Sequence, residues 1–140
     1  MTSPERYRQH IKPAEVALSA VIHEHAADAY IFCHCDGSVV PILDDIIETG
    51  TQVLNPVQTS LPGMEADQLM RGYGDRLTFH GGVEAYEGPR DELVAEVKRL
   101  IDVLGDQCGY VFASCNHIIG APPENVVATF ETAREHSSRP

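Results

Sequence analysis

Four short apolar segments alternate with segments of helical periodicity along this chain, and this alternation limits the possible folds more than any other feature. The apolar segments cover residues 29–33, 51–55, 76–80 and 109–113. Continuous apolar runs of this length are typical of strands buried on both faces, and a helix between successive strands joins them in parallel. The sequence therefore predicts an α/β fold with a four-stranded parallel sheet.

A predicted helix follows each strand, and a further helix precedes the first strand. The helices cover residues 4–26, 38–49, 64–73, 89–104 and 122–135. Pro13 predicts a break or restart inside the first helix, because proline has no backbone N–H to donate. The sheet could be open and doubly wound, or it could be half of a closed barrel. No glycine-rich dinucleotide loop follows the first strand, which weakens the nucleotide-binding version.

The charge balance narrows the possible partners. Asp and Glu number 21 against 10 Lys and Arg, for a net charge of −11, and such a surface repels phosphate backbones and anionic lipids. No apolar run reaches the roughly 18 residues of a membrane span, and no signal-like segment opens the chain. We therefore expect a cytoplasmic protein that binds neither nucleic acid nor membrane. One domain is expected over residues 1–136, followed by a loose tail at 137–140.

Polar and reactive side chains collect where each predicted strand ends. They are Cys33, His34, Cys35 and Asp36, then Asn55 and Gln58, then His80, Gly81, Gly82 and Glu84, and finally Cys115, Asn116 and His117. The carboxyl ends of parallel strands lie at one edge of a sheet, where α/β proteins build their sites. Four such groups at one edge predict a single functional face.

Three of the cysteines suggest a metal site. Within a strand, Cys33 and Cys35 point to one face and His34 to the other. With Cys115 from another strand end, three thiolates would suit zinc and leave a fourth position for water or substrate. The alternative is that buried cysteines act as small apolar side chains, which is the interpretation we favour for Cys108.

The amide and glycine residues at these strand ends each allow two interpretations. Asn55 and Gln58 could orient a polar ligand, or Asn55-Pro56 could simply form a turn. Gly81-Gly82 could let the backbone approach a ligand closely, or could only turn the chain.

The charged and titratable candidates also allow more than one interpretation. Glu84 could hold a substrate or act as a base, or it could be a solvated loop carboxylate. His80 and His117 could be ligands, proton carriers or surface residues, because histidine serves in all three roles.

A family resemblance runs from about Pro4 to Glu135. It is carried by Cys33–Gly37, Gly50, Leu54–Gln58, Gly74–Val83, Gly109–Ala113 and Pro122–Val126. In that order, these motifs resemble the C-terminal half of the uroporphyrinogen decarboxylase superfamily, which also contains corrinoid-dependent methyltransferases. The resemblance implies the C-terminal half of a (β/α)8 TIM barrel, made of four parallel β/α units preceded by a helix.

The methyltransferase branch of this superfamily has the stronger resemblance. It holds zinc with a His-x-Cys pair and a distant cysteine. Here Cys33 stands in place of the histidine, Cys35 matches the cysteine of the pair and Cys115 the distant one, unless His34 replaces Cys33 as the ligand. This branch implies zinc-dependent transfer of a methyl group to a small thiol from a corrinoid on a partner protein.

The decarboxylase branch is the alternative, and it implies decarboxylation of a tetrapyrrole in porphyrin biosynthesis. It uses arginines and an aspartate from the first half of the barrel, and a histidine near the position of Asn116 or His117. Across both branches, the resemblance implies catalytic roles for Glu84 and His117. It implies substrate binding by Asn55, Gln58, Gly81, Gly82 and Asn116.

A third alternative is a truncated, inactive or assembly-only member of the superfamily. Four strands cannot close a barrel, and their two open edges present unpaired backbone groups. The sequence therefore also predicts self-association or pairing with a complementary half-barrel.

Overall fold

Four parallel strands form one sheet in sequential order in the computed structural model, which describes residues 3–83, 88–106, 109–115 and 117–137. The strands are β1 (Phe32–His34), β2 (Val53–Val57), β3 (Thr78–Val83) and β4 (Tyr110–Ser114). Cys33 lies opposite Leu54, and Leu54 lies opposite Phe79. The predicted α/β fold with four parallel strands is confirmed, although each strand begins one to three residues later than predicted.

Helices precede β1 and follow every strand. They are α1 (Pro4–Arg6), α2 (Lys12–His25), α3 (Leu43–Glu48), α4 (Ala66–Tyr73), α5 (Arg90–Leu104) and α6 (Pro123–Ser137). A π-helical turn at Tyr7–Ile11 joins α1 to α2, and a 3-10 turn at Val40–Ile42 leads into α3. The restart predicted at Pro13 is confirmed, because this residue lies in the first turn of α2, where no N–H is needed. Ser137, the first residue of the predicted tail, still belongs to α6.

The hydrophobic core lies between one face of the sheet and the helices. Leu54 and Phe79 are fully buried on this face, against Leu100 and Leu104 of α5 and Leu69 of α4. We call it the helix face of the sheet. Side chains alternate along a strand, so the residues between these point to the opposite side, which we call the inner face.

The inner face is far less covered than the helix face. Phe32 of β1 and Val111 of β4 point to it and are 50% and 46% exposed. In a closed barrel this face would line the interior. None of the helices in the described segments is both long enough and apolar enough to cross a membrane.

Candidate functional site

A chain of hydrogen bonds crosses three strands on the inner face. His34 at the end of β1 bonds through Nδ1 to Oδ1 of Asn55 (2.6 Å), and Nδ2 of Asn55 bonds to Nδ1 of His80 (2.8 Å). The strand register places these side chains side by side, because His34 pairs with Asn55 and β3 continues the ladder. We call this imidazole–amide–imidazole arrangement the inner-face network.

The central amide of this network is fixed by its surroundings. Asn55 is only 8% exposed, and its backbone carbonyl accepts a hydrogen bond from the N–H of Cys35 at 2.7 Å. It lies inside β2 and is joined to Pro56 by a cis peptide bond. The structure therefore places Asn55-Pro56 in a strand, in place of the turn that was one of the two interpretations of this pair.

A carboxylate lies beside the outer end of the network. Oδ2 of Asp36 is 3.4 Å from Nε2 of His34, and both side chains are more than half exposed. With Nδ1 of His34 donating to Asn55, a neutral imidazole presents its Nε2 lone pair toward this carboxylate. Two acceptors then face the same space, which suits a ligand that brings a hydrogen-bond donor or a positive charge.

Cys33 and Cys35 lie on the helix face, with their side chains packed against the hydrophobic core. Cys33 lines a cavity of about 300 Å³ beside α2, which Glu15 also lines. Burial raises the pKa of the Cys33 thiol to about 11, with smaller contributions from Cys35 and Glu15. Burial also raises the pKa of Cys35, helped by Asp36 and Glu15. Both sulfurs are therefore protonated thiols at neutral pH.

Cys115 lies across the end of β3 and is buried. Its thiol donates to the carbonyl oxygen of Val57 at 3.0 Å and accepts the backbone N–H of Gly82 at 3.2 Å. Gly82 has a φ of +102°, and a Cβ there would lie 2.6 Å from Oη of Tyr110. That hydroxyl donates to the carbonyl oxygen of Gly81 at 2.6 Å. The glycine pair therefore packs closely against its neighbours and gives Cys115 a backbone partner.

The structure does not bring the three predicted zinc ligands together. Within the segments described, no three side chains from His, Cys, Asp and Glu converge as a metal site would require. Cys33 and Cys35 face the helices, and the hydrogen of the Cys115 thiol is engaged by Val57. In this arrangement the three thiols do not fit a zinc site. Zinc binding by Cys33, Cys35 and Cys115 therefore stays a prediction. His34 and Asp36 converge, but they are only two of the four ligands that zinc usually takes.

The other predicted site residues are more dispersed. Oε1 of Gln58 accepts the backbone N–H of Gly37 at 2.6 Å, so this amide ties the end of β2 to the loop after β1. His117 is exposed beyond β4. Glu84 and Asn116 lie outside the described residues, as does Cys108.

The family profile for uroporphyrinogen decarboxylase (URO-D) matches residues 1–136. The chain belongs to this family. A methyltransferase from Methanosarcina mazei has a similar fold, with a TM-score of 0.74 and 24% sequence identity over 99% of this chain. The present chain spans 39% of the length of that neighbour. Its four-stranded sheet is therefore part of a barrel. No curated protein matches the sequence.

The role of the two histidines in the network was only partly predictable for this URO-D family member. Alternation along the strand predicts His34 on the face opposite Cys33, as the structure shows, but the sequence allows three roles for His80. The signal that would have joined them is register: His34 and Asn55 are cross-strand partners, and His80 lies on the same face of β3. Sequence order alone does not give that register.

Proposed function

We propose that this chain is the C-terminal, substrate-binding half of a URO-D family barrel that transfers a methyl group to a small thiol. The inner-face network of His34, Asn55 and His80 carries this proposal. It offers two imidazoles, one amide and one carboxylate, Asp36, at the strand ends. The described strand-end segments 33–36, 55–58 and 80–83 contain no Lys or Arg.

The absence of cations in this described part of the site bears on the substrate. A tetrapyrrole with several carboxylates needs Arg or Lys to replace the water around its charges. A small thiol needs only an acceptor for its S–H group and a donor for its remaining polar group. His34 and His80 supply these two functions within this half of the barrel. The arginines that the resemblance implies for tetrapyrrole decarboxylation would come from the other half, so it is the fit of the two imidazoles to a thiol that supports thiol methylation.

The chemistry then follows from the atoms around His34. A thiol in front of this residue donates its hydrogen to Nε2, and the proton passes to that nitrogen as sulfur attacks the methyl carbon. A carbon–sulfur bond forms. The bond between the methyl group and its donor, a methylated corrinoid on a partner protein, breaks with its electron pair staying on the donor. Asp36, at 3.4 Å, stabilises the resulting imidazolium. Because the described donors do not complete a zinc site, no step here depends on a metal.

A complementary half-barrel would close the site. The half-exposed Phe32 and Val111 point into the space that such a half would fill. Helices already flank both open edges: α2 lies beside β1, and Phe130 of α6 contacts Phe112 of β4 ring to ring at 5.7 Å. If two copies closed a barrel together, α6 of one copy and α2 of the other would meet at each junction between the two half-sheets. A barrel of alternating strands and helices has one helix there. The geometry therefore favours a partner half that begins and ends with a strand over a second copy.

Thiol binding can be tested without the methyl donor. The probe is 2-mercaptoethanol, with ethylene glycol as the control that lacks sulfur, and the readout is the imidazole signals of the 15N-labelled chain. We expect the thiol to shift the His34 and His80 signals with roughly millimolar affinity, and ethylene glycol to shift neither. His34→Ala should abolish the shift of the His80 signal. His10→Ala, on the exposed π-helical turn, should leave both shifts unchanged.

Two results would contradict the proposal. One is a thiol titration that leaves both imidazole signals unchanged in the folded chain. The other is micromolar binding of uroporphyrin, which would favour the decarboxylase alternative.

A further inference from the structure

An amide side chain is chemically different at its two ends, and the two ends of Asn55 meet different histidines. Its Oδ1 can only accept a hydrogen bond, and its Nδ2 can only donate one. Both contacts use the same ring atom, Nδ1, of His34 at 2.6 Å and of His80 at 2.8 Å. For both bonds to form, Nδ1 must carry the proton in His34 and must be bare in His80.

We propose that Asn55 is a positioning residue that holds the two imidazoles of the site in opposite neutral tautomers. In His34 the bare nitrogen is then Nε2, and in His80 the Nε2 carries the proton. A single buried amide thus makes one histidine a hydrogen-bond acceptor and the other a donor. The surroundings hold the amide in place, because Asn55 is 8% exposed and both of its ends are bonded.

This inference deepens the proposed function and takes its functional meaning from it. The methyl acceptor needs an acceptor for its S–H group, and His34 can serve only if its Nε2 is bare. His80 would then donate to the other polar group of the same molecule. Without Asn55, each ring would choose its own tautomer, and a fraction of the molecules would present the wrong pair of nitrogens.

Imidazole tautomers can be read directly by NMR, since protonated and bare ring nitrogens differ widely in 15N shift. Long-range 1H–15N spectra of the labelled chain would be recorded at about pH 8.5, where an ordinary histidine is neutral. Two other histidines calibrate the spectrum, because each bonds to a carbonyl oxygen that can only accept. His25 bonds through Nδ1 to Val21 (2.9 Å), and His23 through Nε2 to Ala29 (3.0 Å).

We expect His34 to show the pattern of His25, and His80 the pattern of His23. Asn55→Asp keeps the shape of the side chain but makes both ends acceptors. In that variant His80 should gain a proton at Nδ1, while His34 keeps its own. Unchanged His23 and His25 signals would show that the variant is folded.

The inference is overturned if the parent chain shows His34 in the His23 pattern, or His80 in the His25 pattern. It is equally overturned if folded Asn55→Asp leaves His80 bare at Nδ1. Should the variant fail to fold, the spectrum of the parent decides. The spectra need no thiol, so a failure of thiol binding would count against the proposed function and would leave the tautomer result unaffected.

Discussion

The protonation of Cys33 separates a packing role from a metal-binding role for this residue. Burial raises the pKa of its thiol from the ordinary 9.0 to about 11. Because the thiolate is the reactive form, a pKa higher by about two units lowers the thiolate fraction near pH 8 roughly a hundredfold. A cysteine prepared for zinc would instead lose its proton readily, since metal ligands must be deprotonated.

The assay is alkylation by iodoacetamide in a variant that keeps Cys33 as its only cysteine, made by Cys35→Ser, Cys108→Ser and Cys115→Ser. The rate would be measured between about pH 8 and pH 10.5, with circular dichroism recorded at each pH. We expect the rate in the folded chain to rise about tenfold per pH unit across this range, because burial, the largest cause of the shift, remains. In urea, the same protein should reach half of its maximal rate near pH 9 and level off above about pH 10.

A rate that levels off by about pH 10 in the folded variant, as it does in urea, would refute this reasoning. It would show that Cys33 is more solvated than its position against α2 indicates. A plateau already reached at about pH 8 would in addition support the three-thiolate zinc site, since zinc requires a thiol that ionises easily.

Three further outcomes are expected. Gly82→Ala should destabilise the chain by about 2–4 kcal/mol in urea unfolding, because of the φ of +102° and the 2.6 Å approach of a Cβ to Tyr110 Oη. In a Tyr110→Phe background the cost should be smaller, and an equal cost would contradict the clash. Uroporphyrin fluorescence should show no binding at micromolar concentration, because segments 33–36, 55–58 and 80–83 at the strand ends contain no Lys or Arg. Without a complementary half, sedimentation at micromolar concentration should show self-association of mixed size through the open backbone groups of β1 and β4, and not a defined dimer, because two copies do not close a barrel. A well-behaved monomer with cooperative unfolding would contradict this.

The fold was predictable because its signals are local. Apolar runs, helix ends and Pro13 are each readable within a few residues, and their order alone requires a parallel sheet. The strand boundaries were less accurate, since a strand begins where it finds a hydrogen-bonding partner. Ile31, inside the first predicted strand, accepts from the backbone N–H groups of both Gln52 and Val53, and the regular ladder begins only at Phe32.

The candidate site was predictable as a place more than as a set of contacts. The carboxyl-end rule brought His34, Asn55 and His80 to one edge of the sheet, and the structure joins them by hydrogen bonds. The roles of the cysteines depend on long-range packing that spacing does not encode. Cys33 lines a cavity together with Glu15 of α2, 18 residues earlier in the chain. Cys115 bonds to Val57 across the intervening strand β3.

The pairing register of β1 with β2 decides which side chains of β1 lie on the inner face of the sheet. Cys33 and Cys35 are two residues apart, and so are His34 and Asp36, so a motif of the form ligand-x-ligand can be matched at either pair. In a strand, a shift by one residue exchanges the two faces. The pairing of His34 with Asn55, and of Cys33 with the buried Leu54, assigns the imidazole to the inner face and the thiols to the core. Backbone pairing therefore places His34, with Asp36 beside it, on the inner face. Under the proposed function it is this imidazole, and not a thiolate, that would face the substrate.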